Sequence, residues 1–163
     1  MDGAIPDATG DRIDVLIEAP QWLGMTGDIL RHVREAARLA LSSRGATDAE
    51  ICVLLADDAT VQRLNRQFRG QDKPTNVLSF PVSLSSKETA MLGDIVLAYE
   101  TVAREAEEQD KPLVHHAQHL TVHGVLHLLG FDHETEADAK IMEALETKLL
   151  AALGIPDPYQ SCH

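Results

Sequence analysis

The sequence has little of what usually stabilises small secreted proteins. Among its 163 residues there are two cysteines, and aromatic residues make up 4% of the chain. Cys52 lies in the apolar run ICVLLA and is predicted to be a buried strand residue, while Cys162 is next to the C-terminus. This spacing indicates neither a disulfide framework nor a thiolate metal site, so we expect a reducing, cytoplasmic setting.

Long apolar runs are also missing. The first residues, MDGAIPDATGD, are acidic and lack the basic start and apolar run of a signal peptide. No stretch approaches the ~20 consecutive apolar residues that cross a bilayer. We therefore expect one domain over residues 1–163 with an aliphatic core, and no membrane partner.

Basic residues are outnumbered in this chain. The 14 Lys and Arg face 26 Asp and Glu, which gives a net charge of -12 and argues against a general affinity for nucleic acids. The segment 63–73 departs from this balance, because it holds four basic residues and one acid. It is either an anion site or a solvated helix face, and the sequence leaves both open. Its basic residues are Arg63, Arg66, Arg69 and Lys73.

The pattern of apolar residues predicts a mixture of strands and helices. Strands are predicted at 12–18, 50–56, 77–81 and 91–99. Helices are predicted at 28–43, 57–67, 100–109, 111–130 and 134–154, with a loop at 83–89. This order predicts an α+β domain, in which a small mixed sheet of about four strands is covered by about five helices. The last helix carries much of the negative charge, including Glu143 and Glu146.

Three histidines fall within eleven residues in HGVLHLLGFDH, residues 123–133. His123 and His127 are four apart on a predicted helix and share one face of it. Gly130 can end the helix in a left-handed turn, which brings His133 back to the same point. Three neutral imidazoles suit one Zn²⁺ ion and leave a fourth position open, as in catalytic sites. Ni²⁺ and copper also accept imidazole, so zinc is the preferred but not the sole candidate.

Other residues near this motif offer alternative roles. His119 lies one turn before His123, but three ligands on one straight helix would spread around its axis by about 40° every four residues. We therefore prefer His133 as the third ligand and expect His116 and His119 to pack against or support the site. Asp132 could orient a ligand or could serve as a turn residue, and both roles stay open.

Gly124 separates this motif from a known protease pattern. The spacing H-x-x-x-H-x-x-G-x-x-H matches metzincin metalloproteases, except that those enzymes carry Glu after the first His as the general base. A zinc peptidase is therefore our second hypothesis, and it would need a base from elsewhere. A bound metal could still lower the pKa of water toward ~7. Arginine could stabilise the transition state of phosphodiester cleavage, which draws attention to the 63–73 segment.

Three stretches together resemble a known family. HGVLHLLGFDH resembles the H-G-x-L-H-L-x-G-[YF]-D-H signature of the YbeY family of rRNA-maturation endoribonucleases. LNRQFRGQDKPTNVLSFP, residues 64–81, resembles the second characteristic stretch of that family, and LGDIVL, residues 92–97, resembles a third. Asn76 stands where the family often carries Asp. The resemblance implies a metal-dependent endoribonuclease that prefers single strands and acts at the small-subunit rRNA 3′ end and in ribosome quality control.

The resemblance also implies specific site residues. It implies one zinc ion held by His123, His127 and His133, and a role for Arg69 in activity. From its chemistry we assign Arg69 to phosphate contact or transition-state stabilisation, with a salt bridge or loop anchor as the alternative. The other basic residues of the segment are candidates for substrate binding, namely Arg63, Arg66 and Lys73.

The expected partners follow from the resemblance and the charge. The expected partners are ribosomal RNA and the ribosome or its proteins, and DNA is not expected. Because an acidic protein should bind naked RNA weakly, we expect a ribosomal partner to recruit it. The sequence does not identify the general base. The candidates are zinc-bound hydroxide, the RNA 2′-hydroxyl as an internal nucleophile, and an upstream histidine such as His119. A third hypothesis is a non-catalytic ribosome-assembly factor with a structural zinc, which would need four protein ligands.

Overall fold

The structure is a computed structural model that describes residues 12–24, 28–81 and 91–159. Its strands are β1 (Arg12–Ile17), β2 (Glu50–Ala56), β3 (Val77–Pro81) and β4 (Met91–Ala98). Its α-helices are α1 (Ile29–Ser43), α2 (Asp58–Arg69), α3 (Tyr99–Glu108), α4 (Leu113–Leu128) and α5 (Glu136–Ala152). Each of these elements lies where the apolar pattern predicts it. The predicted loop at 83–89 lies outside the described residues.

One element was not predicted. The segment Pro20–Gly24 forms a short 3₁₀ helix, and its Trp22 side chain is fully buried. The indole Nε1 of Trp22 donates a hydrogen bond of 2.8 Å to the carbonyl oxygen of Ala56, at the end of β2. The burial of one large ring, with its polar atom satisfied, gives this short segment a fixed place against the sheet.

The four strands form one mixed sheet in the order β1-β2-β4-β3. β1 and β2 are parallel, β2 and β4 are parallel, and β3 is antiparallel to β4. The four-stranded mixed sheet and the five α-helices confirm the predicted α+β class. Within the described ranges, every helix is too short or too polar to cross a lipid bilayer.

Gly93 in β4 marks a close approach between strands. Its φ is +153°, and a Cβ atom there would clash with the Phe80 carbonyl oxygen and lie 2.9 Å from Leu128 Cδ2. The register between β2 and β4 also shifts at Glu50 and Ile51, beside this glycine. The absence of a side chain therefore lets β3 and the end of α4 pack closely on β4.

The two faces of the sheet are covered unequally. α1 and α4 pack together over one face, where side chains such as Val33, Val53 and Ile95 are fully buried. A smaller cluster, which includes Val61 of α2 and Val96 of β4, covers part of the other face. Cys52 faces this second, thinner layer by the alternation of side chains along β2, and it is only half-buried. The prediction that Cys52 lies in a strand is confirmed, but the prediction that it is buried is wrong.

Candidate active site

The three histidines of the 123–133 segment meet at the C-terminal end of α4. The ring centroids of His123 and His127 are 5.8 Å apart, and that of His133 lies 5.5 Å from His123 and 5.8 Å from His127. Each residue offers one ring nitrogen, and these nitrogens all lie within 4.8 Å of one another. The structure therefore brings together the three residues that the sequence spacing selects.

Gly130 allows the chain to turn back toward the helix. Its φ is +108°, which is the left-handed side of conformational space that favours glycine. The N–H of Gly130 donates to the carbonyl oxygen of His127, and the N–H of Phe131 donates to that of Leu126, both at 3.0 Å. These bonds satisfy the last carbonyl groups of α4 and place His133 beside its end.

The chemistry and exposure of this cluster fit a transition-metal ion. His123 is half-buried, while His127 and His133 are exposed, so one side of the cluster is open to solvent. Burial lowers the pKa of His127, and the neighbouring His123, His133 and Arg69 lower it further. A lowered pKa keeps the imidazole neutral, which is the form that binds a metal. The assignment of the three histidines as metal ligands stays a prediction.

A buried carboxylate supports the cluster from behind. Glu146 of α5 is fully buried, and its Oε2 lies 2.7 Å from Nδ1 of His123. Its Oε1 accepts a hydrogen bond from the Tyr159 hydroxyl and lies 2.8 Å from Nε2 of His119. A carboxylate only accepts hydrogen bonds, so Nδ1 of His123 carries the proton and its Nε2 is left for a metal.

The hydrogen bonds to Glu146 decide its charge. Burial alone would raise the pKa of this carboxyl group, but the bonds from His119, His123 and Tyr159 outweigh burial and lower the pKa to about 2. Glu146 is therefore an anion in the protein interior. Sequence reasoning counted it with the acidic charge of the last helix and missed its role. The missed signal is its spacing, because it shares a helical face with the buried residues Met142, Leu149 and Leu150.

The residues for which two roles stayed open can now be assigned. Asp132 Oδ1 accepts a hydrogen bond of 3.2 Å from the backbone N–H of Glu134, which is the turn role and not a contact with a histidine. His119 contacts Glu146 and lies outside the cluster of potential ligands, which is the predicted supporting position. Within the described ranges, the cluster contains three potential ligands and no fourth.

Gly124 faces the sheet rather than the histidine cluster. A Cβ atom at this position would lie 3.0–3.1 Å from three side-chain atoms of Ile95, a fully buried residue of β4. A glutamate at position 124 would therefore enter the interface between α4 and the sheet. The glycine has a packing role in this chain, and its direction argues against a peptidase base at that position.

Arg69, the last residue of α2, lies beside the histidine cluster. Its guanidinium donates a hydrogen bond to the Ser79 carbonyl oxygen in β3 and lies 5.4 Å from the ring centroid of Phe80. Its charge contributes to the lowered pKa of His127, which places it within electrostatic reach of the cluster. In the part of the chain that the structure describes, Arg69 forms no salt bridge, so the salt-bridge alternative is not observed. Its hydrogen bond to Ser79 is compatible with the other alternative, a loop anchor.

The remaining basic residues of the 63–73 segment are exposed. Arg63 and Arg66 lie on α2, and Lys73 lies in the turn that follows it. None of the three pairs with a carboxylate among the described residues. Their charges are therefore available to a ligand, and their role in substrate binding stays a prediction.

Comparison with known proteins decides the family. The family model described as Endoribonuclease YbeY matches residues 17–154. The chain belongs to the YbeY endoribonuclease family. A relative from Rhodopseudomonas palustris strain BisA53, named Endoribonuclease YbeY, is 48% identical over 163 residues, which cover 95% of this chain and 91% of that protein. One of the same name from Bradyrhizobium sp. strain BTAi1 is 47% identical and is covered over 96% of its length.

A solved structure shares the fold of this chain. The solution structure of a Thermotoga maritima protein is similar to this chain, with a TM-score of 0.58 and 24% sequence identity. The match covers 91% of this chain and 99% of that one. The family model and the relatives confirm the resemblance of the three sequence stretches to the YbeY family.

Proposed function

We propose that this chain, as a single domain over residues 1–163, is a zinc-dependent endoribonuclease that cleaves single-stranded RNA. The observation that supports it most is an open cluster of three histidines beside an arginine that lacks a carboxylate partner in the described ranges. The proposed setting is ribosomal RNA processing in the cytoplasm, at the small-subunit rRNA 3′ end, and ribosome quality control. Its relatives carry the name Endoribonuclease YbeY, which favours RNA over a peptide as substrate.

The proposed cofactor is one zinc ion, held by His123, His127 and His133. When bound, zinc would supply Lewis-acid chemistry and lower the pKa of water. The protein contributes the orientation of the ligands, because the hydrogen bond from His123 to Glu146 fixes which ring nitrogen faces the cluster.

Arg69 is proposed to act on the phosphate. Its planar guanidinium is always charged and is already oriented by Ser79 and Phe80, so it can meet the negative charge that develops on the phosphate oxygens. The contacts of His119 argue against a role as general base, because its Nε2 is bonded to Glu146 and its Nδ1 is buried.

RNA binding is proposed to rest on a local basic surface and a recruiting partner. Arg63, Arg66 and Lys73 would contact the RNA backbone, while the net charge of -12 weakens binding of naked RNA. We therefore propose that the ribosome or one of its proteins brings the enzyme to its substrate. Tight binding of unstructured RNA at physiological salt, without ribosomal components, would contradict the need for such a partner.

Metal content and RNA cleavage, measured together, test the proposed function. We expect His127→Ala to lose both metal and cleavage, and Arg69→Ala to keep the metal and lose about 100-fold or more in cleavage rate. His115→Ala on the same helix and Arg31→Ala on α1 are matched controls that should keep both. Undiminished cleavage by both His127→Ala and Arg69→Ala would contradict the proposed site.

A further inference from the structure

A cavity of about 400 Å³ lies next to the candidate metal site. His119 and His123 of α4 line it, together with Tyr159 from the segment after α5. On the other side, Glu105 of α3 and Asn76 line the same cavity. Its volume falls in the range of pockets that bind small organic groups. Because His123 belongs to both the cavity and the histidine cluster, a ligand in the cavity would be adjacent to the metal.

Glu105 is held at the edge of this cavity with one oxygen free. Its Oε1 accepts a hydrogen bond of 2.9 Å from Nδ2 of Asn76 and lies 2.8 Å from Nε2 of His116. The His116 side chain is only 4% exposed, so this support is rigid. Within the described ranges, Oε2 of Glu105 has no hydrogen-bond partner. It is an acceptor that a ligand could use.

Apart from Gln109, the side-chain donors that line the cavity point at carboxylates. Asn76 and His116 donate to Glu105, while His119 and Tyr159 donate to Glu146. Both histidines must carry their proton on Nε2 in these contacts, because a carboxylate cannot donate. The cavity is therefore rich in acceptors and negative in charge, which disfavours phosphate and favours a neutral group with N–H donors.

We propose that this cavity binds an unpaired nucleobase that carries an exocyclic amino group, next to the phosphate that is cleaved. The inference rests on the proposed function. Glu accepts a hydrogen bond from the amino group of cytosine in known base recognition, whereas uracil presents an acceptor at the same position. Apolar side chains of Val77, Leu120 and Pro158 also line the cavity and would contact the faces of the base.

The geometry also gives a physical reason for single-strand preference. A base can enter a cavity of this kind only when it is unstacked and splayed out of a helix, as in most sequence-specific recognition of RNA. The ring of Tyr159, which is 45% exposed, offers aromatic surface for stacking. Paired bases would not reach Glu105.

The test uses two single-stranded RNAs that differ only by cytosine or uracil at one position. Binding is measured by fluorescence anisotropy on the zinc-loaded protein with cleavage-resistant analogues, and cleavage at the neighbouring phosphate is measured with natural RNA. We expect binding about tenfold tighter for cytosine, the effect of one hydrogen bond to a charged group. Equal binding of the two RNAs by the wild type would overturn the inference, whatever the cleavage result.

A matched pair of variants tests the role of Glu105 in base recognition. Glu105→Gln replaces the free acceptor by an amide that can pair with either base, so the ratio of cytosine to uracil binding should fall to about one. Glu107→Gln makes the same change of charge two residues away on an exposed part of α3 and should keep the ratio. A ratio unchanged in Glu105→Gln would overturn the role of Glu105.

The same experiment distinguishes an error in the proposed nuclease function from an error in the proposed base site. If the wild type discriminates between the two bases but cleaves neither RNA, the cavity stands as a base site and the nuclease function is wrong. If it cleaves both equally and binds both equally, the nuclease function stands and the base site is wrong.

Discussion

Oε2 of Glu146 lies 2.7 Å from Nδ1 of His123, which joins the buried side of α5 to the candidate metal site on α4. Glu146 is fully buried and ionised. Its hydrogen bonds with His123 and His119 compensate for the loss of hydration of this interior charge. The same contact thus contributes to stability and would contribute to the proposed metal binding.

Removal of the Glu146 charge should weaken metal binding. We expect Glu146→Gln to lower zinc affinity by about 10–100-fold, the usual effect of losing a carboxylate that orients a histidine ligand. Competition with a chelator of known affinity measures this change. Glu143→Gln, an exposed residue on the same helix, is the matched control. Equal zinc affinity in Glu146→Gln and wild type would show that His123 needs no orientation by Glu146.

A methyl group at position 124 should strain the contact between α4 and the sheet. Gly124→Ala gains helix propensity of about 1 kcal/mol, but overpacking in a tight core costs about 1–3 kcal/mol, and Ile95 is a stiff, fully buried partner. We expect a net loss of about 1 kcal/mol in the free energy of unfolding, measured by urea denaturation.

Gly24→Ala is the control for that prediction, because no atom of the described residues lies within 4 Å of a Cβ atom there. It should change the free energy of unfolding by less than about 0.5 kcal/mol. A stabilised Gly124→Ala variant would show that Ile95 can move aside.

His116 should make the protein less stable in acid. Burial lowers its pKa below the ordinary value of 6.5, despite the hydrogen bond that His116 donates to Glu105, which raises it. The unfolded chain therefore binds more protons near and below pH 6.5, so the free energy of unfolding falls as the pH drops through this range. One such group contributes at most about 1.4 kcal/mol per pH unit.

The contribution of His116 is measured as a difference in slope. His116→Gln should show a shallower loss of stability between neutral pH and pH 5 than the wild type, in urea denaturation at several pH values. An unchanged slope in His116→Gln would mean that its titration does not differ between the folded and unfolded states.

The basic segment of α2 should determine the salt dependence of RNA binding. Each phosphate contact on a single strand contributes a slope of about -0.7 to the logarithm of affinity against the logarithm of salt concentration. Arg66→Gln should therefore reduce the slope by about 0.7 if Arg66 contacts one phosphate. Arg12→Gln removes the same charge from a residue that already pairs with Glu50 at 2.6 Å, and it should leave the slope unchanged. Identical slopes for Arg66→Gln and wild type would remove Arg66 from the binding surface.

Much of the fold follows from local sequence signals. The helix ends at Asp28, Asp57 and Gly130 could be predicted, because capping side chains and left-handed glycines act on their nearest neighbours along the chain. The histidine cluster could be predicted for the same reason, since its three members lie within eleven residues of sequence.

Contacts between distant segments could not be predicted in this way. The pairing of Glu146 with His123 joins residues 23 positions apart, and that of Glu105 with Asn76 joins residues 29 positions apart. Their formation depends on the strand order and on how α3 and α5 pack against α4, and local pattern specifies neither. Gly124 was interpreted from its motif, whereas its contact with Ile95 is a property of the tertiary packing.

The most direct test of the proposed metal-dependent nuclease is a zinc titration of RNA cleavage by the metal-stripped protein. We expect no cleavage in the presence of chelator, a linear rise with added zinc, and saturation at one zinc ion per chain. His127→Ala should show no rise at equal zinc. Full cleavage by the chelated wild type, or an equal response of His127→Ala to zinc, would contradict the proposal.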